Sequence, residues 1–261
     1  MSLDYLNFVR CETDRFRDAL RAADPADRVP SCPDWSAADL LWHLTDVQLF
    51  WAAIVRDRLT EPEAAEASVP GRPKGWEDLL ALSGRATEDL LAALGAAADD
   101  VAVWTWASEH HVGFVRRRQA HEALIHRLDA ELTADMVTPL DSGLAADGVG
   151  EIFEHLFCWS PEWADVAEGP GVALVRATDT GDRWLVQQMG FSGLSPDTGK
   201  TYSAEPFLRP IADAAPTFAV AAPAGVLDAW LWGRRNDDDL IVTGNEEHYA
   251  RFAAVVAKGV P

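Results

Sequence analysis

The sequence predicts a helical bundle over about residues 1–160, followed by a small α+β domain over about residues 165–261. Apolar residues recur at helical spacing through the first part, and proline-containing breaks separate the helices. After about residue 165 the apolar runs become shorter and are bounded by Gly, Asp and Pro, which is typical of strands. Since 48% of the residues are hydrophobic and eleven are Trp, the chain can bury a sizeable core.

Five helices are expected in the first part. The first covers about residues 3–22 and ends before Asp24 and Pro25. Ser36 followed by Asp39 approximates a capping box, so the second helix begins there. After a loop with several prolines, the remaining helices are predicted over about residues 76–94, 112–132 and 144–159.

The second part alternates predicted strands with two predicted helices. The strands cover about residues 172–177, 184–187, 218–221 and 240–243, and the helices cover about residues 224–232 and 246–257. This order predicts a small α+β domain.

Charge and the distribution of apolar residues exclude several classes of partner. Forty-two acidic against twenty-two basic residues give a formal charge of -20, and a field of that sign repels nucleic acid and anionic membranes. The N-terminus mixes charges into its apolar residues, and no uninterrupted apolar run reaches the ~20 residues of a membrane helix. We therefore expect a cytoplasmic protein without a membrane or nucleic-acid partner. We also expect the protein to be a monomer or a homodimer.

The segment Arg118–Asp129 (RQAHEALIHRLD) holds the densest group of chemically active side chains. It superficially resembles the H-E-x-x-H motif of zinc proteases, but His121 and His126 are five residues apart and not four. Five residues place the two rings about 140° apart around a helix, which excludes a shared metal ion. Glu122 and His126, four residues apart, lie on one helical face and can converge on one ion.

A third metal ligand is expected from a facing helix. His43 lies in the middle of the apolar stripe of the second helix, where a Leu would be ordinary. Two His and one carboxylate leave coordination positions open, as in catalytic zinc or non-haem metal sites. The alternatives are that His43 is a satisfied core residue and that Glu122 and His126 are a solvated pair. Asp129 either orients the ring of His126 or pairs with an Arg.

Other motifs are absent or weaker. The sequence contains no G-x-G-x-x-G, P-loop or G-x-S-x-G pattern, which removes the commonest nucleotide and serine-hydrolase interpretations. Three cysteines without C-x-x-C spacing argue against a disulfide framework and a cysteine-rich zinc site. Arg234 and Arg235 follow a predicted glycine turn, from which either can reach an anionic group.

Taken in order, five segments resemble the mycothiol-dependent maleylpyruvate isomerase family of actinobacteria, a branch of the DinB-like superfamily. The segments are Val29–Trp35 (VPSCPDW), Asp39–Leu44 (DLLWHL), Arg118 with Glu122–Asp129 (EALIHRLD), Asp147–Glu151 (DGVGE) and Leu231–Arg234 (LWGR). The resemblance implies a DinB-like up-down four-helix bundle and a sterol-carrier-like α+β domain. It also implies a divalent metal, usually zinc, held by His43, Glu122 and His126, with Arg234 as the arginine near the site.

The resemblance further implies thiol chemistry. A metal with an open position can lower the pKa of a small thiol such as mycothiol, whose thiolate then adds to or is transferred to a small electrophile. We therefore expect a maleylpyruvate isomerase-like enzyme or an S-transferase. Two alternatives remain open: a zinc hydrolase that activates water with Asp129, Asp46 or His111 as the base, and a non-catalytic metal-stabilised binding protein.

Overall fold

The computed structural model describes residues 3–259 and divides the chain into two compact units between Leu140 and Asp141. This division falls earlier than the 160–165 boundary expected from composition. The reason is that the predicted fifth helix packs against a helix of the second unit.

Four long helices and one short helix form the first unit in the described part of the chain. They are α1 (Tyr5–Ala22), α2 (Ala37–Asp57), α3 (Glu63–Ser68), α4 (Trp76–Ala96) and α5 (Val112–Thr133). Helices α1, α4 and α5 agree with the predicted ranges to within two residues, and α2 begins at the predicted capping box. Helix α3 is a difference, because it lies in a segment that its prolines and glycine predicted as loop.

The beginning of α2 is fixed by the predicted capping box. The Ser36 hydroxyl accepts a hydrogen bond from the backbone N–H of Asp39 at 3.2 Å, and the Asp39 carboxylate accepts the backbone N–H of Ser36 at 2.9 Å. These bonds satisfy two backbone donors that a helix start leaves without partners. The position of His43, two turns into the helix, is therefore well defined.

Helix α5 packs against both α1 and α2, and α4 also packs against both. Helices α1 and α2 are consecutive in sequence but make few contacts, so they lie diagonally across the bundle. In a simple meander they would be neighbours; here the long connection between Ala22 and Ala37 lets the chain cross the end of the bundle. This order makes α2 and α5 adjacent, which any site shared by these two helices requires.

The core of the bundle combines apolar packing with a buried polar network. Its largest fully buried apolar side chains include Phe16, Leu20, Leu40, Leu41, Leu44 and Leu90. At its centre, Gln48 of α2 donates a hydrogen bond to Thr13 of α1 at 3.0 Å and accepts one from Thr87 of α4 at 2.9 Å. Buried polar groups need hydrogen-bond partners inside the protein. Here the partners lie on different helices, so these bonds join three helices.

A fully buried arginine joins α5 to α1. Arg127 has no exposed surface; its Nε donates to Glu12 at 2.6 Å and its Nη1 donates to Glu131 at 2.8 Å. The Thr138 hydroxyl, beyond the end of α5, accepts from the same Nη1 at 2.8 Å. The two carboxylates compensate the buried guanidinium, and Glu131 also accepts hydrogen bonds from the backbone N–H and the hydroxyl of Thr138 in the loop that follows α5.

The second unit is a five-stranded mixed sheet with helices. Its elements are α6 (Ser142–Glu151), β1 (Asp165–Ala177), β2 (Arg183–Leu194), β3 (Thr201–Ile211), β4 (Phe218–Ala222), α7 (Ala224–Leu231), β5 (Ile241–Gly244) and α8 (Glu246–Ala257). The strand order is β3-β2-β1-β4-β5, in which β1 and β4 are parallel and every other pair is antiparallel. Helix α8 packs on the sheet, and its Phe252 ring lies 5.6 Å from Phe218.

The sequence missed strand β3. Pro206 and Pro210 interrupt its apolar pattern, and each lacks the backbone N–H that a strand uses for pairing. In the structure β3 is an edge strand, where a proline that lacks a backbone donor is tolerated. Helix α6 ends at Glu151, earlier than the predicted range of 144–159, and a π-helical turn over Ile152–Leu156 follows it. The predicted fold class, a helical bundle followed by an α+β unit, is confirmed; none of the helices within residues 3–259 is long and apolar enough to cross a membrane.

We expect Arg127→Met to lower the free energy of unfolding by about 3 to 5 kcal/mol, because it leaves two buried carboxylates without their main cation. Urea titration measures the loss. The control is Arg10→Met, which breaks an exposed 2.9 Å ion pair with Glu88 and should cost less than about 1 kcal/mol. Equal losses in the two variants would contradict a special role for the buried pair.

Candidate metal centre

Three side chains predicted as metal ligands converge where α2 faces α5. The Nε2 atom of His43 lies 3.4 Å from Oε1 of Glu122, and the Nε2 atom of His126 lies 3.1 Å from the same oxygen. The two imidazole rings are 4.8 Å apart between centroids and nearly perpendicular. Each ring therefore directs its own Nε2 atom at Oε1 of Glu122.

The spacing of these atoms is suitable for one small cation. One ligand atom from each residue lies within 4.8 Å of the others, and no other group of three His, Cys, Asp or Glu side chains in residues 3–259 meets this criterion. Zinc binds nitrogen and oxygen ligands at about 2.0 to 2.2 Å, which puts the ligand atoms of a tetrahedral site roughly 3.4 Å apart. Small side-chain movements therefore suffice for all three residues to bind one ion.

An arginine holds the other side of the Glu122 carboxylate. Arg118, one turn earlier on α5, is buried and donates to Oε2 of Glu122 at 2.9 Å. Burial alone would raise the pKa of Glu122, but hydrogen bonds with His126 and His43 and the charge of Arg118 hold that pKa well below its usual range. Glu122 is therefore an anion at neutral pH, with Oε1 directed at the histidines.

The ring of His126 is oriented from behind by a carboxylate. Its Nδ1 lies 2.9 Å from Oδ2 of Asp129, which is fully buried. Burial would lower the pKa of His126, but hydrogen bonds with Asp129 and Glu122 raise it to about 9. When the ring is neutral, an Nδ1–H donor to Asp129 leaves the Nε2 lone pair directed at Glu122 and available to a metal. This contact supports the predicted role of Asp129 in orienting the ring of His126.

The loop before α2 supplies two further contacts that sequence reasoning missed. The Trp35 ring lies 4.7 Å from the His43 ring and 6.5 Å from the His126 ring, and the Ser31 hydroxyl donates to Oδ1 of Asp129. Both residues belong to the segment Val29–Trp35, which carries part of the family resemblance. The segment was a usable signal, but its contacts depend on how the loop folds back on α5.

The histidine that spacing excluded lies away from the cluster. His121 is buried and its ring makes an edge contact with Tyr5 of α1 at 6.4 Å between centroids. His111 begins α5, where its Nδ1 accepts the backbone N–H of Phe114 at 3.1 Å. These contacts agree with the separate faces expected for His121 and His126.

Arg234 lies in the second unit, just after α7. Gly233 has a φ of +73°, so the predicted glycine turn is present. The Arg234 side chain is partly buried and donates to the carbonyl oxygen of Trp232 at 2.7 Å, whereas Arg235 is exposed and pairs with Asp239 at 2.5 Å. Of the two arginines, Arg234 has the more protected side chain, and its role at the site remains a prediction.

These features define a class of protein: a four-helix bundle with a His, Glu, His cluster between two adjacent helices, followed by an α+β unit. Comparison with known proteins agrees with the family that the sequence resembles. Residues 9–131 match the family described as Mycothiol maleylpyruvate isomerase N-terminal domain, and the first unit of this chain therefore belongs to that family, as the resemblance predicted.

Solved structures extend the similarity over the whole fold. Two crystal structures of the mycothiol-dependent maleylpyruvate isomerase, one of them a histidine-to-alanine mutant, each match 93% of this chain and are matched over 93% of their own length. Their TM-scores are 0.55 and 0.57, with sequence identities of 14% and 13%, for the unmutated and mutant structures respectively. At this identity the match establishes the shared fold. No curated protein matches the chain by sequence.

The raised pKa of His126 predicts how the metal-free protein responds to pH. A histidine whose folded pKa is about 9, against about 6.5 when unfolded, stabilises the fold fully below pH 6.5. That contribution is lost as pH rises through 9. The urea concentration at the unfolding midpoint of the metal-free protein should therefore decrease as the pH is raised from 6.5 to 9. His126→Gln should make this part of the pH profile flatter. The exposed His110→Gln should leave the profile unchanged; a flat profile in the wild-type protein would contradict the expectation.

Proposed function

We propose that the chain is a divalent-metal-dependent enzyme that activates a low-molecular-weight thiol, mycothiol, for reaction with a small electrophile. The proposed ligands are His43, Glu122 and His126, with zinc as the metal. The observation that carries this proposal is the convergence of both Nε2 atoms on one Glu122 oxygen, at 3.4 and 3.1 Å. The family of the first unit supports mycothiol as the thiol.

The chemistry of the donor set supports an open site. Two imidazoles and one carboxylate are the ligand count of catalytic zinc centres, which keep a position for substrate. A zinc ion bound here would supply Lewis acidity, lowering the pKa of a thiol that occupies the remaining position. The chain's own residues keep the site in shape: Arg118 holds Glu122, Asp129 holds His126, and Trp35 packs against His43.

The proposed reaction begins when the thiol gives its proton to water and becomes a thiolate. In the isomerase-like reaction the thiolate sulfur bonds to one carbon of an electrophilic double bond, whose electron pair moves into the adjacent carbonyl group. Rotation about the new single bond follows, and elimination breaks the S–C bond, re-forms the double bond and returns the thiolate. In the S-transferase reaction the S–C bond persists, and the carbon next to the carbonyl group takes up a proton from water. Arg234 is the proposed partner of a substrate carboxylate, through a bidentate ion pair.

Asp46 is the observation that favours the hydrolase alternative. It lies one turn after His43 on α2, and burial raises the pKa of its carboxyl group while the charge of His43 opposes the rise. The other two proposed bases are engaged elsewhere: Asp129 with His126 and Ser31, and His111 at the start of α5. A metal-activated water would therefore find its base in Asp46.

A cavity in the second unit favours the binding-protein alternative. Its volume is about 420 Å³, within the range of small-molecule sites, and it lies beside strands β1, β2 and β3 and helix α8. The lining is mostly apolar and includes Ala167, Met189, Pro206, Phe207, Ala254 and Val255. A recognition function for this unit would need no reaction at the histidine and glutamate cluster.

The proposed ligands predict a specific pattern of metal loss. His43→Ala, Glu122→Gln and His126→Ala should each weaken zinc binding by more than about 100-fold, because each removes a direct ligand and exceeds the usual cost of an outer-shell change. Competition with a chromophoric chelator measures the affinity, and elemental analysis gives the metal content of the purified protein. The matched control is His121→Ala, on the same helix; a loss as large as that of His126→Ala would contradict the ligand assignment.

Dependence on thiol separates the proposed enzymes. With zinc present, isomerisation of maleylpyruvate or conjugation of a small electrophile should require mycothiol and should disappear in His126→Ala. Hydrolysis of p-nitrophenyl esters that proceeds equally without the thiol, and falls in Asp46→Asn, would support the hydrolase instead. If His126→Ala lowers the melting temperature but no reaction is found, the binding-protein alternative is favoured.

A further inference from the structure

The loop between α1 and α2 contains a tightly hydrogen-bonded turn, Val29–Ser36. The backbone N–H of Cys32 donates to the carbonyl of Val29 at 3.1 Å, and the N–H of Trp35 donates to the carbonyl of Cys32 at 2.8 Å. The N–H of Val29 donates back to the carbonyl of Trp35 at 3.0 Å, which closes the turn. The backbone therefore holds the side chains of this turn in fixed positions.

This turn contacts a proposed ligand on one helix and, on another helix, the residue that orients a second proposed ligand. Trp35 packs against His43 of α2, with ring centroids 4.7 Å apart. Ser31 reaches α5, where its hydroxyl donates to Oδ1 of Asp129. Asp129 in turn uses its other oxygen, Oδ2, to hold Nδ1 of His126 at 2.9 Å. A continuous chain of hydrogen bonds thus leads from the turn to a proposed metal ligand.

The burial of Asp129 gives the hydroxyl a specific task. A fully buried carboxylate depends on its hydrogen bonds both for its solvation and for its orientation. The bond from Ser31 holds Oδ1, and because a carboxylate is planar and rigid, the position of Oδ1 constrains where Oδ2 stands relative to the His126 ring. Carboxylates behind ligating histidines set ring orientation and ligand basicity, so a change in the position of Oδ2 alters the metal centre.

We propose that Ser31 is a positioning residue of the metal centre, acting on His126 through Asp129. This inference rests on the metal site proposed above. A hydroxyl that only stabilised the turn would affect folding and leave metal affinity unchanged. A hydroxyl that orients Asp129 affects the affinity for metal, and this effect disappears once Asp129 is removed.

The test is a double-mutant cycle on zinc affinity, measured by competition with a chromophoric chelator, in the full chain. We expect Ser31→Ala to weaken binding about tenfold and Asp129→Ala to weaken it about 10- to 100-fold. The double variant should bind zinc no more weakly than Asp129→Ala alone. If Asp129→Ala does not fold, Asp129→Leu, which also lacks an acceptor for the Ser31 hydroxyl, takes its place in the cycle.

Spectroscopy and a matched control complete the experiment. Cobalt(II) absorption bands should change in Ser31→Ala and return to the wild-type form in Ser31→Thr, which keeps the hydroxyl. Ser68→Ala, which removes a 2.7 Å hydroxyl bond to the Ala65 carbonyl in α3, should leave affinity and spectrum unchanged. Melting temperatures of the metal-free variants account for any general loss of stability.

Two results would overturn the inference: an unchanged zinc affinity in Ser31→Ala, or an equal loss from Ser31→Ala in the presence and absence of Asp129. Failure of the proposed metal site gives a different result. In that case the wild-type chain binds no zinc, or His126→Ala binds it as well as the wild type does, and both proposals fall together.

Discussion

The dominant physical constraint in the first unit is that helix α5 is buried along most of its length and nevertheless carries many charged and polar side chains. They include Arg118, His126, Arg127, Asp129 and Glu131, all of them buried, and the partly exposed Glu122. An unpaired charge in such a place costs several kcal/mol, so these groups require partners close by. Neighbouring helices and loops supply those partners, and this requirement determines much of the packing around α5.

The charged groups of α5 serve two neighbours in different ways. Toward α1, Arg127 pairs with Glu12 and fixes one helix against the other. Toward α2, Glu122 meets His43, and the cluster there combines nitrogen and oxygen donors with an anionic charge. Among the described residues, only the second cluster brings three potential metal-ligating side chains within 4.8 Å of one another. This contrast supports the proposal that it binds a metal.

Local patterns made much of the fold predictable. The Ser36 and Asp39 pair marked the start of α2 because capping depends on neighbouring residues, and helical periodicity marked the four long helices. The two prolines of β3 concealed a strand, since their acceptability depends on its place at the sheet edge. At the site, helix geometry predicted that Glu122 and His126, four residues apart, lie on one face of the helix. The contact of Trp35 with His43 could not be predicted in this way.

By itself, the sequence determined which side chains share a helical face and which do not, because the rise and rotation of a helix are the same in every protein. That was enough to separate His126 from His121. Tertiary structure decided that α1 and α2 lie diagonally, so that α2 and α5 are adjacent and His43 meets Glu122. It also decided that Ser31 reaches Asp129, 98 positions away. Such contacts depend on the packing of whole helices and loops, which no local spacing encodes.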